Sequence, residues 1–484
     1  MVDAFDAVVV GSGPNGLAAA AFLGRAGRSV LVVEAADTLG GGARTAELTL
    51  PGFRHDVCSA IHPLALTSPF LSSLPLADHG LEWIHPDVPA AHPLDGGRAA
   101  VLHGSVEATA AGLGDDGPAW RRLFGPIRDS WEPLAHQLLG PVRLPRHPLP
   151  VARFGLLALR STRRLVDARF NGVAAKSLFA GMSGHAFLPI DHVTSAAFGL
   201  LMIGAGQAGG WPMPRGGAQA LSDALASYCA SQGVMFRTGE RVSSLRDLPA
   251  APVVLLDTSP ADALRIVSYR LSPLRRFQLG SFRPGPGVFK IDYALSEPVP
   301  WAAPEAHRAG TVHVGGTIDE IQAAEQDVAT GRHPDRPFLL AVQHSRFDPS
   351  RAPAGRHTLW TYTHVPNGST VDRTKAMEDQ LERFAPGFRD VVVARHTTSP
   401  ADLERYDPNY IGGDIAGGAN DGLQLFLRPR LALDPYFVDE HDGRRIYLCS
   451  ASTPPGGGVH GMCGFHAARL ALRHLDRSGT VTEA

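Results

Sequence analysis

Lysine is almost absent: Lys176, Lys290 and Lys375 are the only three in 484 residues, and arginine carries the rest of the positive charge. Each lysine can therefore be weighed on its own. Cysteine is scarce too, with Cys58, Cys229, Cys449 and Cys463, none of them spaced as C-x-x-C. That excludes a zinc ribbon or a dithiol redox pair, so no metal site is expected. So few thiols in so long a chain fit a reducing cytoplasm, the expected location. Charge imbalance is missing as well: a formal net charge of −2 gives no reason to expect nucleic acid as a partner. No apolar run is long enough for a membrane span, and no signal-peptide pattern is read before the first strand. What the chain does have is 44% hydrophobic and 19% charged residues, the balance of a well-packed globular protein. Its length suits two large domains or one composite enzyme.

The stretch "FDAVVVGSGPNGLAAAAFLGRAGRSVLVVEAA" reads as strand, turn, helix, strand. Val8, Val9 and Val10 form a short β-branched run of the kind found in buried parallel strands. Gly11, Gly13 and Gly16 follow as G-x-G-x-x-G. The first permits a tight turn, the second lets a pyrophosphate approach the backbone, and the third lets helix and strand pack closely. Pro14 and Asn15 open the helix, whose free N–H groups face the phosphates. The second strand ends at Glu34 and Ala35, about 20 residues after the turn, where a carboxylate meets an adenosine ribose. With every part in order, the segment specifies dinucleotide binding.

A second G-x-G-x-x-G stands at Gly204, Gly206 and Gly209. The preceding "SAAFGLLMI" reads either as a strand or as the end of a buried helix. Pro212 and Pro214 forbid a helix starting directly at the glycines, and no acid follows a second strand at the right distance. One dinucleotide is expected, not two.

Near the C-terminus, "RRIYLCSASTPPGGGVHGMCGFHAARLALRHL" again gives strand, glycine loop and helix. Such a loop lays backbone N–H groups against an anionic or electron-rich group. Ser452, Gly457, Gly458 and Val459 are its candidate contacts. His460 is a candidate acid or base, with a capping or core histidine as the alternative. His55, Asp56 and His62 are weaker candidates.

The segments "GSGPNGLAAA", "EAADTLGGGARTAELTLPGFRHDVCSAIHPL", "WPMPRGGAQALSDAL", "GPGVFKIDYALSEPVPW" and "YLCSASTPPGGGVHGMCGFHAA" span most of the chain. Together they resemble the phytoene-desaturase-related FAD oxidoreductases, within the superfamily of amine oxidases and GDP-dissociation inhibitors. The resemblance implies that Gly41, Gly42, Arg44 and Thr45 meet the FAD phosphates and ribityl chain. It also implies that the strand near Arg241 and Val242 lies against the adenine. "GVFKIDYALSEPVPW" resembles the monoamine-oxidase strand in which a lysine holds a water beside the flavin, which makes Lys290 a catalytic candidate; the alternative is a strand-edge lysine in solvent. Asp414 stands near the place where covalent members carry cysteine, so non-covalent FAD is expected. Ile415 and Val459 fall near the places of the paired tyrosines that flank an amine, and an apolar site suits an alkyl or polyene substrate.

The expected fold is α/β: a Rossmann-like FAD-binding domain of glutathione-reductase type with a discontinuous α+β substrate domain. The FAD domain is assigned residues 1–75, 210–285 and 405–484. The substrate domain takes 76–209, Pro-rich and mostly helical, and 286–404, read as antiparallel strands facing the flavin. The tail "RSGTVTEA" reads as disordered. Residues 151–170 mix apolar side chains with five arginines. They are read as a solvated helix capping the substrate domain, with peripheral membrane contact as the alternative. The oligomeric state is left open.

The leading functional expectation is an FAD-dependent dehydrogenase, desaturase or oxidase taking hydride from an apolar, polyene or lipid-like substrate, with oxygen or a quinone as acceptor. The alternatives are amine-oxidase-like C–N oxidation and a non-catalytic prenyl- or lipid-binding protein of the same superfamily. A nicotinamide-linked disulphide reductase is disfavoured by the missing C-x-x-C, and a redox-neutral flavin isomerase stays open.

Overall fold

The computed structural model describes residues 4–267, 271–430, 432 and 434–479. The chain opens with β1 (Ala7–Val10), α1 (Pro14–Arg25) and β2 (Val30–Val33), the three elements read from the first glycine motif. Next come β3 (Val88–Leu94) and β4 (Arg98–Leu102), then a helical stretch with α2 (Pro148–Ala158), α3 (Val173–Ser183) and α4 (Ser195–Gly209). The chain returns through α5 (Ala218–Ser231), β5 (Met235–Arg237) and β6 (Val253–Leu256). It then builds β7 (Gly287–Leu295), β8 (Ala309–Val314), β9 (Leu339–Val342), β10 (His357–Val365) and β11 (Val392–Thr398). It closes with β12 (Phe437–His441), β13 (Arg444–Leu448) and α6 (Met462–Gly479).

The first sheet has the order β12-β13-β6-β1-β2-β5. All its pairs are parallel except β12 with β13. Its inner strands are fully buried apolar runs, as strands covered on both faces must be. Alanines of α1 bury one side together with α5 and α6. This is the expected Rossmann-like α/β layer.

The second sheet has the order β11-β7-β10-β9-β8-β3-β4 and is mixed, with β3 and β8 parallel. "VFKIDYAL", "PFLLAVQHS" and "HTLWTYTHV" do form antiparallel neighbours. The first insertion is mainly helical, as expected, and it also donates β3 and β4 to this sheet. Val88–Leu94 is buried along its whole length, and tertiary pairing with β8 holds it in a strand despite Pro89 and Pro93. One sheet face packs Phe289, Ile291 and Tyr293 into a separate core. The other turns Val288, Trp360 and Tyr362 toward the main core.

The second glycine triplet is helical. Gly204 and Gly206 lie inside α4 and Gly209 ends it. A Cβ at Gly204 would meet the Trp131 ring at 2.7 Å, so that glycine serves helix packing. Arg241 and Val242 lie in coil rather than in a strand. Of the tail, Arg477–Gly479 finish α6, against the expectation of disorder, and the rest falls outside the described residues. Among the described residues no helix is long and apolar enough to cross a membrane.

Candidate dinucleotide site

A cavity of about 610 Å³ opens beyond the carboxyl ends of β1, β2, β6 and β13, the place where open α/β sheets bind ligands. Gly11, Gly13, Pro14, Asn15, Glu34, Ala35, Gly41, Gly42, Arg44, Val242 and Ser452 all line it. Gly11 adopts φ +98°, which a side chain would strain, and a Cβ at Gly16 would lie 2.2 Å from the Gly11 carbonyl oxygen. Pro14 occupies the first turn of α1, where its missing N–H costs nothing.

Glu34 organises the turn. Its Oε2 accepts hydrogen bonds from the Ser12 amide (2.9 Å) and hydroxyl (2.6 Å), and its Oε1 accepts from the Ala36 amide at 2.8 Å. The Arg44 guanidinium lies 3.5 Å from Glu34 and donates to the Thr38 and Leu39 carbonyls, so it is fixed at the cavity wall. A positive group and the positive end of the α1 dipole thus share one wall.

Two buried carboxylates at this wall were not singled out in the sequence. Asp257, just after β6, accepts the Gly16 amide at 2.8 Å. Burial, reinforced by the nearby charges of Asp407 and Glu34, pushes it up to about 7, although the Gly16 and Gly13 amides oppose the shift. Asp407 is pushed up to about 6 by burial and by Glu34. Asn409 Oδ1 accepts the Ser259 amide at 2.6 Å and so ties the 406–410 segment to the end of β6. The only local signals were turn residues: "DTSP" at the strand end and "YDPNY" near Tyr410.

The remaining candidates lie elsewhere. Gly16 supports the turn from behind, Thr45 donates to Asp56 at 2.7 Å, and a Cβ at Gly457 would lie 2.3 Å from the Ala416 carbonyl oxygen. Gly458 and Val459 continue that loop and are not among the cavity walls. His460 is buried at the start of α6. Its Nδ1 accepts the Met462 amide at 3.0 Å, and burial pushes it down to about 4. It thus accepts the first amide of α6 as a neutral imidazole, the geometry of a capping histidine.

Lys290 is 2% exposed, so it is not a strand-edge lysine in solvent. Its ammonium pairs with Asp292, two residues along the same face of β7, and lies 5.9 Å from the Trp360 ring centroid. It is absent from the cavity walls. Asp56 pairs with Arg351 and His344, each at 3.0 Å, and accepts the Ala218 amide at the start of α5. Burial opposes its ionisation, yet Arg351 and His344 hold it well below the usual carboxylate range. His55 is pushed down to about 2 by burial and by Lys290, and His62 to about 4 by burial. Lys290 and Asp292 lie on the same sheet face as their cross-strand neighbours Tyr362 and Trp360, and His55 approaches Asp292 at 3.5 Å.

Residues 9–70 match the family model of the NAD(P)-binding Rossmann-like domain. Over 97% of its length the chain is 27% identical to pyridine nucleotide-disulfide oxidoreductase domain-containing protein 2 of Mus musculus, covering 94% of that protein. It is 29% identical to the phytoene dehydrogenase of Streptomyces griseus, over 84% of this chain and 80% of that one. In fold it is similar to the cyclohexylamine oxidase of Brevibacterium oxydans, with a TM-score of 0.58, 18% identity and coverage of 97% and 98%. Fold and site thus define a dinucleotide-binding α/β domain joined to a mixed-sheet domain, an architecture shared with proteins named as a dehydrogenase and an oxidase. In sequence the chain is similar to a phytoene dehydrogenase, and in fold to an amine oxidase.

Proposed function

We propose that the chain binds one FAD non-covalently and oxidises a carbon centre of an apolar substrate. The observation that carries this reading is the unbroken dinucleotide bed: the α1 N-terminus, Glu34, Arg44 and Ser452 on the walls of one cavity. The bed fits the group: Gly11 and Gly16 leave room for the turn, and Arg44 stands ready for phosphate charge. When bound, FAD supplies the two-electron chemistry by accepting hydride at its N5. The chain's residues supply binding, orientation and exclusion of water. Asp414, buried and accepting amides from Gly285, Ala416 and Gly418, offers no thiol for a covalent flavin link.

The apolar substrate is supported by the inner face of the second sheet. Trp360 and Tyr362 meet edge to face at 5.1 Å, with Phe187 stacked beside Tyr362. The charges nearby are paired with each other, Lys290 with Asp292 and Asp56 with Arg351. Neither carboxylate is free to hold an ammonium group, which favours carbon oxidation over the amine-oxidase alternative. The helical Gly204 triplet removes the second nucleotide candidate, so the reading assigns reoxidation to oxygen or a quinone.

The test is anaerobic mixing of the FAD-loaded protein with alkyl, polyene and amine compounds. Bleaching by an apolar compound, restored by oxygen or a quinone, supports the reading. Bleaching by amines alone replaces the substrate class.

A further inference from the structure

The surface of α2 and the loop before it presents leucines where a soluble helix presents polar residues. Leu144 is 94% exposed, Leu149 82%, Val142 74%, Leu156 72% and Leu159 54%. On α2 the spacing of Leu149, Arg153, Leu156 and Arg160 keeps these four on one side of the helix. The opposite side buries Phe154, Leu157 and Ala158. The helix therefore already satisfies the fold with one face, and its second apolar face serves nothing inside the chain.

Charge is the second, independent observation. Between Glu132 and Asp167 the sequence holds no acidic residue but six arginines. Arg143, Arg146, Arg153 and Arg160 are exposed and alternate with the exposed leucines. Arg143 and Arg153 donate to the His136 and Arg122 carbonyls, and none of the four makes an ion pair with a carboxylate among the described residues. Arg469 and Arg473 of α6 stand close enough to Arg143 to add to the same field, and their mutual repulsion helps burial lower the Arg469 pKa. A cluster of like charges without acids is unfavourable in the isolated protein and favourable beside an anionic surface. The patch is also firmly attached, because His466 Nε2 bonds the Leu139 carbonyl at 3.1 Å.

We propose that this face docks the protein onto an anionic lipid surface, with the leucines entering the headgroup–acyl boundary and the arginines meeting lipid phosphates. The combination of exposed leucines and a one-sign basic rim is the arrangement of an interfacial amphipathic helix. An acidic protein would be matched by the arginines alone, and nothing in that match needs five exposed aliphatic side chains. Docking here leaves the dinucleotide cavity free, because no residue of the patch lines it.

The test is co-sedimentation of the full chain with vesicles of phosphatidylcholine alone and of phosphatidylcholine mixed with phosphatidylglycerol. The expected result is binding to the mixed vesicles and release by high salt. Because each basic residue near an anionic surface contributes about 1 kcal/mol, the triple variant Arg143→Gln/Arg146→Gln/Arg153→Gln should bind roughly a hundredfold more weakly. Leu144→Ser/Leu149→Ser/Leu156→Ser should lose binding with an unchanged circular dichroism spectrum, since those side chains contribute nothing to the core. Equal sedimentation of wild type and both variants overturns the proposal. So does absence of binding to mixed vesicles at low salt, and so does binding to polyglutamate or RNA but not to vesicles.

Discussion

Replacing Asp257 by asparagine removes one proton site from the dinucleotide bed while keeping its shape. The side-chain carbonyl of an asparagine can still accept the Gly16 amide that Asp257 accepts at 2.8 Å. In the wild type, burial and the charges of Asp407 and Glu34 raise the Asp257 pKa from 3.8 to about 7. A difference of about three units is worth roughly 4 kcal/mol. Between those two values the folded chain keeps a proton that the unfolded chain has released. The folded state thus binds more protons, and stability must fall as pH rises. This contribution is fully present below pH about 4 and lost above about 7. Urea unfolding of the FAD-free protein, followed in steps of one pH unit across that window, reads it directly. Asp257→Asn should match the wild type at the acid end of the window and exceed it by several kcal/mol at the alkaline end. It should also bind FAD more tightly at the alkaline end, because no carboxylate then competes with the pyrophosphate for the α1 N-terminus. Parallel pH profiles for the two proteins would refute the reasoning.

Other residues give sharper local tests. Gly16→Val forces a side chain into the Gly11 carbonyl oxygen, 2.2 Å from the Cβ position, and should abolish FAD retention, read by absorbance after desalting. Glu34→Gln weakens the Ser12 and Ala36 hydrogen bonds and the Arg44 pair, and should raise the FAD dissociation constant about tenfold by titration. Lys290→Met strands the buried Asp292 and should cost about 3–5 kcal/mol of stability. The double variant Lys290→Met/Asp292→Leu should recover much of that loss, whereas a lysine acting only on flavin chemistry would leave stability unchanged. His460→Ala should lose about 1 kcal/mol through the lost cap and leave the pH profile of turnover unmoved.

The dinucleotide bed was legible because its parts lie close together in sequence. Strand, glycine turn, helix, strand and Glu34 occupy one continuous stretch, and each element's local preference agrees with the fold. The Gly204 triplet was separated from it by Pro212 and Pro214 and by the missing acid. Asp257 was hidden because its partner Gly16 is 241 residues away, so no local pattern ties them. The same distance problem hid β3, which pairs with β8 across more than two hundred residues. The pairing of Lys290 with Asp292 follows from the two-residue period of a strand, yet its burial depends on the sheet around it. For α2, amphipathicity suggested either a cap or a membrane contact. Only the buried Phe154 and Leu157 reveal which leucines are left outside.

The central claim, one FAD held on the α1 N-terminus, is tested most directly by the visible spectrum of the purified protein. The chromophore should then be released by denaturation and identified. The account predicts a yellow protein that releases FAD intact, in stoichiometric amount and without proteolysis. A protein that is colourless and stays colourless after incubation with FAD and desalting would contradict it.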